Sequence, residues 1–316
     1  MPSEPASAPA KGQPASEAKL GVLLGFTAYA LWGSFPLYFH LLKGTNPVEI
    51  VANRVIWSLL FLGGVNSVTR SWKGILQSAR SMRNVGLLTL AAGFLAVNWG
   101  VYIYAVVTQQ VVEGSLGYFI NPLVSVGLGV MVLRERLRRH QWAAVCIAVL
   151  AVIVLSIGYG RLPWISIVLA VTFALYGLIK KQAGLPAVES LTIETAALAP
   201  IALAAMFWFA ATGKSALLTG DLRTVLLLLV LGPVTAIPLL AFGGAATRIP
   251  LSTLGLLQYI TPTVQFLLGV FVLGETMSPI RWAGFFLVWV SLAVMTVGGL
   301  LQARTRLDDL EVIEPD

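Results

Sequence analysis

Ile120-Asn-Pro-Leu-Val-Ser-Val-Gly-Leu-Gly-Val-Met-Val-Leu-Arg-Glu135 is answered, 140 residues later, by Ile260-Thr-Pro-Thr-Val-Gln-Phe-Leu-Leu-Gly-Val-Phe-Val-Leu-Gly-Glu275. The two stretches align without a gap. Pro122 falls on Pro262, Gly129 on Gly269, Leu133 on Leu273, Glu135 on Glu275 and, further on, Trp142 on Trp282. Both are apolar almost throughout, so the duplicated unit is a membrane segment. Internal duplication of apolar spans marks secondary transporters, whose site lies where the halves meet near the bilayer midplane.

The rest of the chain agrees. Over 316 residues it is 57% hydrophobic and 11% charged, with a mean hydropathy of +0.85; soluble domains carry about 25% charge. A hydrocarbon core about 30 Å thick needs roughly 20 apolar residues per helix, which leaves room for about ten spans. The net charge of +7 is spread between apolar stretches rather than gathered on a polar face. It therefore indicates the positive loops of a membrane protein rather than a nucleic-acid partner. A single cysteine, Cys146, excludes an internal disulfide and a cysteine-rich metal site. No cofactor is implied.

The predicted spans are 20–41, 47–69, 85–108, 112–133, 141–158, 163–182, 189–211, 223–247, 251–273 and 279–301. Residues 1–19, rich in Pro, Ala, Ser and Gly, are expected to be a disordered tail, and 302–316 an acidic, solvated one. With the N-terminus inside, Lys11, Lys19, Arg70, Lys73, Arg80, Arg83, Arg134, Arg136, Arg138, Arg139, Lys180, Lys181, Arg248, Arg304 and Arg306 share the inner side. Only Lys43, Arg161, Lys214, Arg223 and Arg281 fall outside, fifteen basic residues against five. On that bias both termini are expected in the cytoplasm, and the expected location is the inner or plasma membrane.

An odd number of spans per repeat forces the second copy to enter upside down. The basic loop after Glu135 is thus inside, and its copy after Glu275 outside. The copy has lost its positive charge: Arg134, Arg136, Arg138 and Arg139 become Gly274, Thr276, Ser278 and Pro279. The fold class read from the sequence is an all-α polytopic membrane protein, its ten transmembrane helices forming two inverted five-helix repeats, 20–158 and 163–301.

Few ionisable groups lie inside the spans. Arg54 and Glu194 do, and they are related by the same offset of 140, as are Glu49 and Glu189. A charge deep in a span costs about 2.5–3.5 kcal/mol on insertion scales and is rarely idle. Arg54 either snorkels to the interface or attracts an anionic substrate group; Glu194 either makes a buried hydrogen bond or takes a coupling proton. Inversion puts the two near opposite faces, so a direct salt bridge between them is not required. Glu113 is expected to cap or to be solvated at a turn. Asn98, Trp99, Tyr102, Tyr118, Asn121, Gln258, Tyr259 and Thr261 join Arg54 and Glu194 as candidates to line a solute cavity, since mixed apolar, aromatic and hydrogen-bonding linings suit small organic molecules. Interhelical hydrogen bonds and interfacial belts are the competing role for this set. Pro122, Pro238 and Pro262 interrupt spans and free backbone carbonyls.

Asn98-Trp99, Glu113-Gly-Ser-Leu-Gly-Tyr-Phe-Ile-Asn-Pro122, Arg134-Glu-Arg-Leu-Arg-Arg139, Glu194-Thr195, Ala245-Ala-Thr-Arg248 and Leu251-Ser-Thr-Leu-Gly-Leu-Leu-Gln-Tyr-Ile-Thr-Pro262 carry a family resemblance. They resemble the EamA branch of the drug/metabolite transporter superfamily, over about residues 20–301. The resemblance implies two inverted repeats around a central cavity used to export or exchange small metabolites. One departure is Asn53 before Arg54, where the family usually has His-Arg; it alters the polarity of that site. No paired aspartates, Ser with His, His-Glu-x-x-His or Walker A segment occurs within the spans, which argues against an enzyme or an ATP-driven pump. The implied partners are the lipid bilayer and a small-molecule substrate. Protons are the candidate coupling ion, a homodimer is an open option, and a passive channel or a membrane sensor remains the alternative.

Overall fold

The computed structural model describes residues 15–133, 139–246, 248–249, 253 and 257–313. The elements are α1 Ala15–His40, α2 Pro47–Thr69, α3 Trp72–Ala79, α4 Met82–Val107, α5 Val111–Leu133, α6 Arg139–Tyr159, α7 Trp164–Ala183, α8 Ala187–Ala211, α9 Ala216–Thr219, α10 Leu222–Ala246, α11 Ile260–Leu267 and α12 Pro279–Ile313. A π turn, Leu268–Val272, continues α11. No strand occurs among the described residues.

Local chemistry explains several of these boundaries. Asn46 accepts a hydrogen bond from the Val48 amide at 2.9 Å, and Pro47 opens α2, where its missing N–H would have had no partner. Gly184, at φ +64, ends α7 in the left-handed region that glycine adopts without cost. Prolines lie inside α1 (Pro36), α5 (Pro122), α8 (Pro200) and α10 (Pro233 and Pro238). In lipid, neighbouring helices can satisfy the carbonyls they free.

Seven described helices are long and apolar enough to cross a membrane: Ser16–His40, Pro47–Thr69, Met82–Val107, Gln141–Tyr159, Val188–Ala211, Leu222–Ala245 and Pro279–Gly298. Trp164–Lys180 and Ile260–Val272 are shorter apolar helices. Phe207, Trp208, Phe271 and Phe286 stand exposed on the outside of the bundle. Water would penalise such a surface, whereas hydrocarbon matches it.

The helices pack in a definite set of pairs. α6 lies along α12, and α2 along α8; α1 packs on α10 and α11, α7 on α4 and α5, α2 on α10, α4 on α8, and α5 on α11. Phe266 anchors the contact of α11 with α12, its ring centroid 4.7 Å from that of Phe285 and 5.5 Å from that of Trp289. The Ser291 hydroxyl donates to the Ala144 carbonyl at 2.6 Å and ties α12 to α6. α5 approaches α7 so closely that a Cβ at Gly117 would stand 2.8 Å from the Ser166 carbonyl oxygen.

The structure departs from the sequence expectations in four places, the first being α1, which begins at Ala15 inside the stretch 1–19 expected to be a disordered tail. The loop 70–84 contains α3, and the segment before α10 contains the single turn α9. α12 runs on to Ile313, through most of the stretch expected to be a tail. Residues 1–14, and 134–138 with Glu135 and three of the loop arginines, lie outside the described residues.

Overpacking a tight site typically costs 1–3 kcal/mol. Gly117→Val is therefore expected to lower the melting temperature in detergent, whereas Gly93→Ala, with nothing within 4 Å of its Cβ inside α4, does not lower it. Equal melting temperatures for the two variants would contradict the α5–α7 packing.

Candidate functional site

Arg54, in the first half of α2, projects into the place where α1, α2, α4, α5, α10 and α11 converge. It is 4% exposed. Its Nε donates to Thr235 Oγ1 of α10 at 2.9 Å. The guanidinium lies over the Trp99 ring at 3.9 Å and near Phe35 and Phe39, at 5.5 and 5.8 Å from their centroids. Snorkelling is not its arrangement. Among the described residues, no carboxylate lies within ion-pair distance of it. Cation–π contact over aromatic faces offsets part of the cost of burying the charge, by about 2 kcal/mol when desolvated. It does not replace a counter-ion.

Polar groups surround this cation. The Tyr102 and Tyr118 side chains lie close to it. Tyr118 donates to Asn98 Oδ1 at 3.1 Å, and the Asn98 amide donates to the Leu169 carbonyl and to Thr172 Oγ1, so Asn98 buttresses α4 against α5 and α7. Gln265 of α11 donates to the Trp32 carbonyl and sits close to the Tyr102 hydroxyl. Yet that hydroxyl and Gln265 Oε1 are both buried without a hydrogen-bond partner among the described residues. Each such group costs about 1–3 kcal/mol.

Glu194 does not share this site. It is fully buried on α8, where its carboxylate meets Lys180 Nζ at 2.9 Å and accepts from the Tyr176 hydroxyl at 3.2 Å. Of the remaining candidates, Thr261 donates to the Tyr29 carbonyl at 2.8 Å and fixes α11 to α1. Tyr259 packs against the α6–α12 core. Asn121 accepts from Ser125 on its own helix at 3.5 Å, and Gln258 is half-buried in the turn before α11. The structure thus brings together Arg54, Asn98, Trp99, Tyr102 and Tyr118 and leaves Glu194, Asn121, Gln258 and Tyr259 outside that group. Phe35, Phe39 and Lys180 were not foreseen. Arg54 itself was the available signal for the first two, because a buried guanidinium needs ring faces.

Carboxylates also hold the two ends of the bundle. At one end, Glu49 accepts from Ser215 Oγ (3.0 Å) and the Leu217 amide (3.3 Å), binding α2 to α9. At the same end, Glu275 accepts from the Val111 and Val112 amides at the start of α5, while Glu113 pairs with Arg161 at 2.7 Å and accepts from the Ile165 amide. Glu113 therefore caps α7 as expected, though buried rather than solvated. Burial pushes the Glu275 carboxyl above its ordinary value, and the two amides oppose the shift. A cleft of about 350 Å³ opens between these loops, with Tyr159 and Arg281 in its wall. At the opposite end, Glu189 accepts from Ser78 Oγ at 3.0 Å and holds α8 to α3.

Membrane-length helices converge here on a buried, ring-lined guanidinium, the arrangement of a polytopic membrane protein. The chain belongs to the EamA-like transporter family, whose model matches residues 19–157. It is 51% identical to Protein RarD of Streptomyces exfoliatus over 300 residues, 95% of each chain. It is 39% identical to Protein RarD of Escherichia coli strain K12 over 290 residues, 92% of this chain and 98% of that one. The identity to the Chloramphenicol-sensitive protein RarD of Pseudomonas aeruginosa is 31% over 282 residues, 88% and 93% of the two chains. A solved crystal structure shares the fold, with a TM-score of 0.57 at 19% identity over 90% of this chain and 98% of that one. The family is one of transporters, not of enzymes.

Removing one partner of a buried ion pair costs about 3–5 kcal/mol. Lys180 is 22% exposed, so Lys180→Met is expected at the lower end of that range, as a drop in melting temperature that the double variant with Glu194→Gln recovers. A single variant as stable as the parent would show that the pair is idle.

Proposed function

We propose that this chain is a RarD-like secondary transporter, a permease or exporter of small organic metabolites or drugs, working by alternating access of two inverted five-helix repeats. The observation that carries the reading is a symmetry in the packing. Let α1, α2, α4, α5 and α6 correspond in order to α7, α8, α10, α11 and α12. The contact of α1 with α10 then maps onto that of α7 with α4. Likewise α1 with α11 maps onto α7 with α5, and α2 with α10 onto α8 with α4. The pairs α2–α8, α5–α11 and α6–α12 map onto themselves. Two halves that exchange roles in this way can exchange conformations, one open to each side.

The end fastenings follow the same rule. Glu49 and Glu189 are related by the repeat offset, and each opens a long helix of one half while holding a short helix that belongs to the other. On the positive-inside orientation, Glu49 works at the outer face and Glu189 at the inner one. Arg54 lies between the two and supplies the site. We assign Glu194 as the proton-coupling group. Taking up a proton would release Lys180, whose partly exposed stem can carry its ammonium to the inner interface.

Reconstituted protein is expected to accumulate solutes from a mixed metabolite and drug panel when a pH gradient is imposed. Glu194→Gln is expected to abolish accumulation while leaving equilibration. Equilibration without accumulation in the parent protein would make it a uniporter or channel, and no flux of any solute would make it a sensor.

A further inference from the structure

Deepening the transporter reading, on which this rests, we infer that the Arg54 chamber selects organic monoanions: one carboxylate attached to a flat, largely apolar body.

Charge sets the first constraint. The acids around the chamber are committed elsewhere: Glu194 to Lys180, Glu113 to Arg161, and Glu49, five residues before Arg54 on the same helix, to Ser215 and Leu217. Arg54 therefore has no carboxylate within ion-pair distance among the described residues, and its charge is left for a ligand. A ligand with a single negative charge neutralises it. A dianion would bring a second charge with no partner, and a zwitterion would bring an ammonium into a site whose carboxylates are taken.

Geometry sets the second. One guanidinium face rests on Trp99 and Nε is occupied by Thr235, so the edge formed by the two terminal nitrogens is left for a ligand. That edge matches the two oxygens of a planar carboxylate, which it can bind through parallel hydrogen bonds. The unpartnered Tyr102 hydroxyl can donate to the same carboxylate, and Gln265 Oε1 can accept from an N–H or O–H on the ligand body. Phe35, Trp99 and Tyr118 border the guanidinium and can face the rest of a flat molecule, while Phe39 is fully enclosed behind them.

The test uses the full chain in detergent with matched pairs of probes: benzoate and benzamide, cinnamate and cinnamamide, indole-3-acetate and indole-3-acetamide. At least one acid is expected to raise the melting temperature saturably while its amide does not. Arg54→Gln is expected to weaken that acid by about tenfold or more, the scale of a lost charge-assisted pair. If Arg54→Gln does not fold, Tyr102→Phe serves, because it removes the hydroxyl near Arg54 and keeps the ring; a several-fold loss of acid affinity is then expected, measured against that variant's own ligand-free melting temperature. Amides that stabilise as well as acids, no stabilisation by any of the three acids, or unchanged acid affinity in the variants would overturn the inference. In proteoliposomes the two readings separate. Arg54-dependent binding without flux would leave the anion site standing and remove transport, whereas flux of amides equal to that of acids would do the reverse.

Discussion

A guanidinium buried without a counter-ion is the constraint around which this bundle is arranged. Isolated charges in low dielectric cost several kcal/mol even after relaxation, so Arg54 can stay charged only if its surroundings compensate. They do so with what α1, α4 and α10 can offer, namely the faces of Phe35, Phe39 and Trp99 and the hydroxyl of Thr235. Those contacts fix the crossing of α2 with three other helices at one depth. The compensation is incomplete: among the described residues no carboxylate lies within ion-pair distance of Arg54, and the Tyr102 hydroxyl and Gln265 Oε1 close by are buried without a partner, which is why we propose a site here rather than a core.

The carboxylates follow the opposite rule. Glu49, Glu113, Glu189, Glu194 and Glu275 each accept hydrogen bonds from hydroxyls, backbone amides or cations, and apart from Glu194 they do so near helix ends. Helix N-termini favour negative charge, and hydrogen bonds to a carboxylate are stronger than those between neutral groups. Acids thus fasten the ends, while Arg54 is buried among the helices with no carboxylate within ion-pair distance among the described residues. On the proposed mechanism, releasing one set of end fastenings exposes the Arg54 chamber to one side while the other set holds.

The membrane-spanning, all-helical character and the transporter family were legible in the sequence, because both depend on local features: apolar runs of bilayer length and segments such as Glu113–Pro122. Arg54 was legible as well, since a charge amid apolar residues stands out. Its aromatic neighbours were not. Phe35 and Phe39 look like any lipid-facing rings until α1 is seen to turn them toward α2. Lys180 read as a loop charge, and only the α7–α8 turn shows it reaching back to Glu194. Asn98 and Thr261 were chosen for polarity alone; their bonds to Leu169 and Tyr29 show that part of the candidate set joins helices rather than facing solute. α3, hidden in a basic loop, could be recognised only through the contact of Ser78 with Glu189.

The central claim is that the Arg54 chamber opens in turn to both sides of the membrane. A cysteine at Tyr118, in a Cys146→Ser background, can be challenged with a membrane-impermeant thiol reagent applied from one side at a time, in right-side-out and inside-out vesicles. Alternating access requires the cysteine to react from either side. Reaction from a single side under every condition, with or without solute, would contradict it.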